Sequence, residues 1–440
     1  MVTSFYRWWI RLGFALVLVA MVARPCSADL QDLMKPKGRK ILFLGDSNTY
    51  TGLYIAYVEG YLRTRFPAEP WELINLGLPS ETVSGLSEPD HPYPRPDVHE
   101  RVDRALARIK PDVVFICYGM NDGIYYPFAE KRLAKYKQGT ESLVAKIEKA
   151  GAKVVLMTPA PFDSVPVKKN LLAAGAPKYS WMKPYEGYDD VLRKYSDYLL
   201  TWRTKGYTVV DAHAAVHRFL KALRMKEPKY TISGDGIHPN PTGHAVIAFE
   251  ILRELKVPAE ADRVEFKFAA GKASRGKGGA FEVMKNSTRV RFTGNWLMPG
   301  DPRWHPQLDK IEHVQERFNQ WPLVIRGLPA GKYEIVAGKP AKNVGTATAA
   351  EFAKGVSIGR FHDLAIFAGN EKLGADIRAR QQKTGLAWLT EIGHKRPGTP
   401  RLGGFAKIIA ADAKERAELM EMLRHRGQGQ WQGFLIRRID

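Results

Sequence analysis

The chain has 440 residues, of which 45% are hydrophobic and 26% are charged, a composition that is ordinary for a soluble globular protein with a buried core. Its length allows one large domain and a smaller second one. The net charge of +21 favours loose association with anionic surfaces, but no nucleic-acid motif accompanies it, so we expect no nucleic-acid partner.

The first 28 residues have the pattern of a secretory signal peptide. Arg7 and Arg11 flank the apolar run 12–23, and Cys26 and Ala28 follow two positions apart. We expect cleavage after Ala28 and export to the periplasm or the extracellular space. An uncleaved anchor is the alternative, but the run is short for a bilayer-spanning helix, which needs about 20 residues. Cleavage removes three arginines and no acidic residue, which leaves a net charge of +18.

Cys117 is the one cysteine that remains after this cleavage, so the mature chain has no intramolecular disulfide. It lies in the apolar run 113–118, which favours a small buried hydrophobic residue over a nucleophile.

Five short apolar runs indicate parallel strands that are buried on both faces, because they are nearly continuous in Val, Ile, Leu and Phe and do not alternate. Segments with helical spacing lie between them, so the sequence predicts an α/β fold with an open parallel sheet between two helical layers over residues 38–256. The predicted strands are 40–44, 71–75, 112–118, 153–157 and 207–210, and the predicted helices are 98–109, 138–150, 190–204 and one that follows Pro241.

Two loops interrupt the alternation of predicted strands and helices, and this alternation ends after Pro258. Residues 86–97 are rich in proline and predict a surface loop, and the insertion 159–189 could be a lid or a binding loop. Residues 257–440 predict a small β-rich appendage that ends in a helix at about 411–425.

Ser47 follows the first predicted strand, at the sheet edge where open α/β folds bind ligands. A serine between a strand and a helix can present its hydroxyl beside backbone N–H groups that stabilise an oxyanion. The alternative is that Asp46 or Ser47 only caps the helix.

Two further strand ends offer donors for the same oxyanion. Asn121 follows the third strand and could supply its amide, and Gly77 follows the second strand and could supply its backbone N–H. Either could instead be a simple turn residue.

Asp235 and His238 lie three residues apart on a glycine-bounded loop before the last helix of the sheet domain. A histidine that accepts a proton needs a carboxylate to fix its tautomer, and Asp235 can reach it from this spacing. Nucleophile, oxyanion donors and acid–base pair each serve a different step of acyl transfer.

These blocks, taken together in chain order, resemble the GDSL/SGNH hydrolase family over residues 38–256. The resemblance implies a flavodoxin-like three-layer α/β/α sandwich with a five-stranded parallel sheet, and a Ser–His–Asp mechanism without metal or cofactor. It implies Ser47, Asp235 and His238 as the catalytic set, with Ser47, Gly77 and Asn121 forming the oxyanion hole. The matching blocks are Gly45-Asp46-Ser47, Gly77, Gly119-x-Asn121-Asp122 and Asp235-x-x-His238. No Gly-x-Ser-x-Gly motif supports the α/β-hydrolase fold instead.

Other polar and aromatic residues are weaker candidates. Asp46, Asp122 and Asp163 could contact substrate, whereas His213 is expected to be structural and His91 and His99 to be solvated. Cys and His spacing does not suggest a zinc site. Three tryptophans of the appendage could stack on sugars, although packing is the favoured interpretation: Trp296, Trp304 and Trp321.

The sequence therefore predicts an exported serine ester hydrolase whose substrate is a small-molecule or polysaccharide-linked ester, with an acetylated carbohydrate as the suggested class. Two alternatives remain open: an O-acyltransferase with the same catalytic set, and a non-enzymatic carbohydrate- or envelope-binding protein. The sequence leaves the oligomeric state undefined.

Overall fold

The computed structural model describes residues 39–268, 274–276, 279–283, 287–292, 296–337, 342–357, 359, 369–429 and 432–440. The expected signal segment 1–28, with its cleavage position at Ala28, lies outside the described residues. Among the helices within these ranges, none combines the length and apolarity needed to cross a membrane.

A five-stranded, all-parallel sheet forms the centre of residues 39–256 and confirms the predicted α/β fold. Its strands are ordered β2-β1-β3-β4-β5. Side chains on both faces of each strand are buried, which explains the continuous apolar runs: Phe43 and Phe115 face one core cluster, and Leu42 and Val114 face the other. The strands are β1 (Lys40–Gly45), β2 (Glu72–Asn75), β3 (Val113–Cys117), β4 (Lys153–Met157) and β5 (Thr208–Val210).

Helices follow the strands and cover both faces of the sheet. The four predicted helices are present as α3, α4, α5 and α7, and α1 is the helix expected after Ser47, whereas α2 and α6 are additional. Every residue of α2 from Tyr54 to Arg65 is buried, so this helix has no polar stripe to reveal its period. The helices are α1 (Ser47–Thr51), α2 (Leu53–Arg65), α3 (Val102–Ile109), α4 (Glu130–Lys149), α5 (Tyr188–Leu200), α6 (Ala212–Arg224) and α7 (Pro241–Glu254).

The C-terminal region is rich in β-structure, as predicted. Three of its strands form one sheet in the order β13-β10-β6, and six form a second in the order β12-β11-β14-β9-β8-β7. The strands are β6 (Val264–Lys267), β7 (Ser274–Gly276), β8 (Gly279–Val283), β9 (Thr288–Phe292), β10 (Pro322–Arg326), β11 (Lys332–Ala337), β12 (Lys342–Thr348), β13 (Val356–Ser357) and β14 (Gln432–Arg438).

Helices accompany these strands. The predicted helix 411–425 lies within the longer α12, after which the chain adds strand β14 to the six-stranded sheet. The long helix α11 had not been predicted. The helices are α8 (Leu308–Glu312), α9 (Val314–Phe318), α10 (Ala349–Lys354), α11 (Asn370–Ile392) and α12 (Phe405–Gly429).

Helix α11 returns to the sheet domain and covers the edge strand β2. Its residues Trp388 and Leu389 belong to the same core cluster as Leu42 of β1. The Gln381 side chain donates a hydrogen bond to the carbonyl of Leu73 in β2, over 3.1 Å. The C-terminal region is thus packed into the sheet domain and protects an edge that would otherwise offer unpaired backbone groups.

A buried ion pair joins α11 to α2. Arg380 pairs with the fully buried Glu59, which also pairs with Arg63 of its own helix. Burial alone would raise the pKa of Glu59, but the two guanidinium groups outweigh burial and lower it. Arg380 also donates to Asp412 of α12 over 2.6 Å, so one arginine links three helices.

We expect Arg380→Met to destabilise the protein by about 3 kcal/mol, because it removes one of the two cations that compensate a buried carboxylate. Urea unfolding followed by circular dichroism measures the loss. Lys372→Met is the matched control, since Lys372 pairs with Asp376 on the exposed face of the same helix and its loss should cost less than about 1 kcal/mol. Equal unfolding midpoints for the two variants would show that the buried pair does not stabilise the contact.

Candidate active site

Ser47 lies at the first turn of α1, directly after β1. The preceding residue, Asp46, caps this helix: its carboxylate accepts the backbone N–H of Asn48 over 2.9 Å. Because Asp46 performs the capping, the Ser47 hydroxyl is left available for other contacts.

The Ser47 hydroxyl contacts a histidine from a loop 191 residues further along the chain. His238 Nε2 lies 2.7 Å from Ser47 Oγ, and His238 Nδ1 lies 2.6 Å from Asp235 Oδ2. The other oxygen of Asp235 accepts the backbone N–H groups of Ile237 and His238, each over 2.9 Å. Gly236 between them has φ +79°, which favours glycine, and a side chain there would meet the carbonyl oxygen of Asp163.

These contacts set the protonation of the histidine. Burial would lower the pKa of His238, but the hydrogen bond to Asp235 and the negative charge of Asp235 outweigh it and raise that pKa above its ordinary value. The pKa of Asp235 is lowered: burial opposes this, and the hydrogen bonds from His238 outweigh burial. The chain Asp235–His238–Ser47 can therefore hold a proton that the imidazole takes from the hydroxyl.

Asn121 lies beside this group at the end of β3. It is buried, its side-chain oxygen accepts the hydroxyl of Tyr125 over 3.0 Å, and its amide nitrogen donates to the carbonyl of Glu81 over 3.2 Å. An amide has two N–H groups, so one donor remains for a ligand. The two hydrogen bonds fix which end of the amide faces the site.

Gly77 does not lie where the sequence analysis expected an oxyanion donor. Its backbone N–H donates to the side chain of Asn75 over 2.8 Å and is therefore already occupied. A side chain at this position would lie 2.1 Å from the backbone nitrogen of Tyr50. The glycine is needed because α1 passes close to it, so the prediction for Gly77 is corrected to a packing role.

Ser80, three residues later, lies at the cavity where Gly77 was expected. It lines the same cavity as Ser47 and Asn121, and its φ of 66° is in the left-handed region that few residues other than glycine adopt. Within the described residues, its backbone N–H has no hydrogen-bond partner. Arg95 holds the Ser80 carbonyl over 3.3 Å, which helps to fix the peptide.

The three aspartates that were predicted as weak substrate contacts are buried and occupied by the protein itself. Asp46 caps α1, and burial raises its pKa to about 7. Asp122 accepts two backbone N–H groups of the loop after Ser80, over 3.0 and 2.9 Å, and burial raises its pKa to about 6. Asp163 pairs with Arg224 over 2.7 and 2.8 Å. All three predictions are therefore corrected to structural roles.

A cavity of about 220 Å³ opens in front of Ser47. Its wall combines the sheet domain with three segments that are distant in sequence: the proline-rich loop, the insertion 159–189 and the C-terminal region. His91, which was expected to be solvated, is part of this wall. The lining residues are Ser47, Pro79, Ser80, His91, Pro92, Tyr93, Arg95, Asn121, Tyr125, Trp181, Ile237, His238 and Arg396.

One group of side chains in the described part of the chain could hold a metal ion. Asp189, His213 and His217 bring their ligand atoms within 4.8 Å of one another. His213 and His217 are one helical turn apart, a signal that the sequence analysis had not used. Asp189 already accepts from both imidazoles, over 3.2 and 2.8 Å, and from the backbone N–H of Phe162. The group therefore ties α5 and α6 to the loop after β4, away from the cavity.

The three tryptophans that were candidates for sugar stacking are packed. Trp296 and Trp321 are buried, and Trp304 contacts the rings of Tyr57 and Phe249 of the sheet domain. These contacts indicate that the three side chains serve packing and not stacking on sugars.

Comparison with known proteins shows similarity to ester hydrolases. Residues 43–246 match the family described as GDSL-like lipase/acylhydrolase. An acetylxylan esterase of Geobacillus stearothermophilus is 25% identical over 239 residues, which cover 50% of this chain and 94% of that protein.

A solved structure shares the fold over almost the whole chain. It is described as a gut microbial diltiazem-metabolizing enzyme, and it aligns with a TM-score of 0.64 at 17% identity over 94% of this chain and 98% of its own. The shared architecture therefore includes the C-terminal region. Residues 43–246 therefore match the GDSL-like lipase/acylhydrolase family, and this similarity supports a carboxylic ester hydrolase.

Proposed function

We propose that the protein is an exported serine esterase that removes short acyl groups, acetyl above all, from carbohydrates. The observation that carries this proposal is the continuous hydrogen-bonded chain from Asp235 through His238 to Ser47, which ends in a small cavity. Export rests on the sequence pattern of residues 1–28.

The mechanism starts with Ser47 as nucleophile. His238 Nε2 takes the proton of the hydroxyl as the oxygen attacks the ester carbonyl, and Asp235 stabilises the imidazolium that forms. His238 then gives the proton to the leaving alcohol. Water, activated by the same imidazole, hydrolyses the acyl-enzyme and regenerates Ser47.

The oxyanion of the tetrahedral intermediate needs donors that are already aligned. The backbone N–H groups of Ser47 and Ser80 and the amide of Asn121 are suited to this role, because all three residues line the cavity. Asp122 holds the loop that contains Ser80, and Glu81 and Tyr125 hold the Asn121 amide. Such donors need little reorganisation when charge develops.

The size of the cavity supports a short acyl group. At about 220 Å³ it is smaller than the roughly 300–1,000 Å³ of drug-sized ligand sites. The proline-rich loop narrows it with Pro92 and Tyr93, and no long apolar groove is part of its lining.

An exposed aromatic ring at the cavity supports a sugar as the alcohol. Trp181 lines the cavity, yet 43% of its surface is exposed, so its face is available for stacking on a pyranose ring. The acetylxylan esterase among the relatives is consistent with this class of substrate.

We expect Ser47→Ala to abolish ester hydrolysis and Asn121→Ala to lower kcat by about 10² to 10³, because it removes an oxyanion donor. Release of 4-nitrophenol from 4-nitrophenyl acetate, compared with the butyrate and octanoate esters, measures both effects and the acyl preference. Ser80→Gly is the matched control: it keeps the backbone N–H and relieves the left-handed conformation, so it should keep most of the activity. If Ser47→Ala keeps the wild-type rate, the serine mechanism is wrong.

Acetyl transfer to an added alcohol at the expense of hydrolysis would instead identify an acyltransferase.

The pH profile tests the histidine. His238 accepts a proton only when it is neutral, so kcat/KM should fall at low pH with a midpoint above about 6.5, since Asp235 raises the pKa of His238. In Asp235→Asn the midpoint should move to lower pH, and kcat should fall by about 10⁴. Asp103→Asn removes an exposed carboxylate that pairs with Lys146, and it should leave the midpoint unchanged. Equal midpoints in wild type and Asp235→Asn would contradict the assigned pair.

Trp181→Ala should raise KM for acetylated xylooligosaccharides by roughly tenfold, because the loss of an aromatic platform costs about 1 to 1.5 kcal/mol. KM for 4-nitrophenyl acetate should rise less, since that ester has no sugar to stack. Met182→Ala, at the exposed neighbouring position, is the control and should change neither value appreciably. If KM for the oligosaccharide rises equally in Trp181→Ala and Met182→Ala, Trp181 is not a specific stacking platform.

A further inference from the structure

We propose that Arg396 selects substrates in which a carboxylate lies close to the ester, so that the preferred substrates are acyl esters of acidic saccharides such as uronates. The proposal rests on the esterase function proposed above and narrows its substrate class. It assigns the C-terminal region a role in recognition, because Arg396 belongs to the segment between α11 and α12.

Arg396 reaches the cavity from a segment that is held in place at several points. It lines the cavity together with Ser47 and His238, although it is about 350 residues from the serine in sequence. The start of its segment is fixed by Arg104 of α3, which donates to the carbonyl of Ile392 over 3.1 Å. The end is fixed where the backbone N–H of Leu402 donates to the hydroxyl of Thr390, over 2.9 Å.

The guanidinium of Arg396 has neutral partners. One terminal nitrogen, Nη1, donates to the Pro397 carbonyl over 3.2 Å and to the Thr399 hydroxyl over 3.0 Å, and the group lies over the ring of Tyr93 at 5.5 Å from its centre. Among the described residues, no carboxylate lies within ion-pair distance of it. Its Nε is buried and without a hydrogen-bond partner in the same part of the chain. Because solvent does not reach Nε, Nη2 is the donor that remains for a ligand.

The other charged groups of the wall do not balance this cation. Arg95 is neutralised, because both of its side-chain donors Nε and Nη2 bind the carboxylate of Glu88. Burial and the charge of Arg95 lower the pKa of His91, which keeps that imidazole neutral near pH 7. Asp235 is not one of the lining residues, and its oxygens accept from His238 and from two backbone N–H groups. Arg396 thus leaves an uncompensated positive charge at a cavity that also holds the nucleophile.

An uncompensated guanidinium with a free Nη2 suits a carboxylate, because a hydrogen bond between two charged groups is about twice as strong as one between neutral groups. Trp181 lines the same cavity and offers a face for a sugar ring. A cationic donor beside a stacking platform therefore favours a sugar that carries its own carboxylate. The net charge of +18 that is expected after signal cleavage would further concentrate a polyanionic substrate near the protein.

The test compares two substrates that carry the same leaving acyl group. Acetate release is measured on acetylated oligogalacturonate and on acetylated, uncharged xylooligosaccharide, with wild type and Arg396→Gln. We expect wild type to prefer the uronate, and the substitution to lower kcat/KM for the uronate by about 10 to 100 times more than for the neutral substrate. Arg396→Lys keeps the charge in a different donor geometry, and its preference for the uronate should lie between those of wild type and Arg396→Gln. Arg401→Gln removes an exposed arginine of the same segment and should leave the ratio unchanged.

A binding measurement tests the selectivity of Arg396 independently of the esterase activity. Titration of Ser47→Ala with unacetylated oligogalacturonate should show Arg396-dependent binding that weakens with salt, even if wild type were to hydrolyse no ester. If wild type hydrolyses both substrates and Arg396→Gln lowers both equally, the esterase assignment stands and the selectivity of Arg396 is overturned. Stronger competition by a neutral-backbone sulfated oligosaccharide than by oligogalacturonate would also overturn it, because the preferred anion would then be a sulfate.

Discussion

Parallel alignment of the five strands is the constraint on which the site depends. Because every strand runs in the same direction, each one leaves the sheet at the same edge, and the loops that follow must share that edge. Ser47 follows β1 and Asn121 follows β3, and the loop with His238 precedes the helix that packs beside them. Residues separated by almost 200 positions are thereby brought within hydrogen-bond distance. An antiparallel sheet of the same strands would divide them between two edges.

Buried carboxylates hold the loops at this edge in place. Asp46 and Asp122 are fully buried, and burial raises the pKa of each, to about 7 and about 6. Each is retained because it accepts backbone N–H groups that would otherwise have no partner, and those bonds fix the peptides around Ser47 and Ser80. Acid residues next to a nucleophile suggest chemistry in a sequence. Here their function is to keep the loop backbone in the conformation that the cavity requires.

The sequence was sufficient for the parts of the molecule that follow from local pattern. Apolar runs predicted the parallel sheet, and the blocks around Ser47, Asn121 and His238 predicted residues that the structure brings together. It failed at Gly77, because a glycine suggested the needed backbone freedom while a serine, Ser80, adopts the left-handed conformation instead. It also could not indicate Arg396 or Trp181 as wall residues, since nothing local records which distant segment closes a cavity. The sequence did not predict helix α2, because this helix is buried on all sides and has no polar face.

Because α11 packs on the edge of β2, the sheet domain lacks this contact until the C-terminal region has been synthesised. Strand β2 ends at residue 75, whereas α11 begins at residue 370, so a ribosome adds nearly 300 residues between them. At about 5 to 20 residues per second, β2 and Glu59 lack their contacts with Gln381 and Arg380 for tens of seconds. The sheet domain can form its parallel core in that interval, but it does so with an open edge and an incompletely compensated charge. Completion of the domain is therefore tied to synthesis of the C-terminal region, and the two regions reach their final stability together.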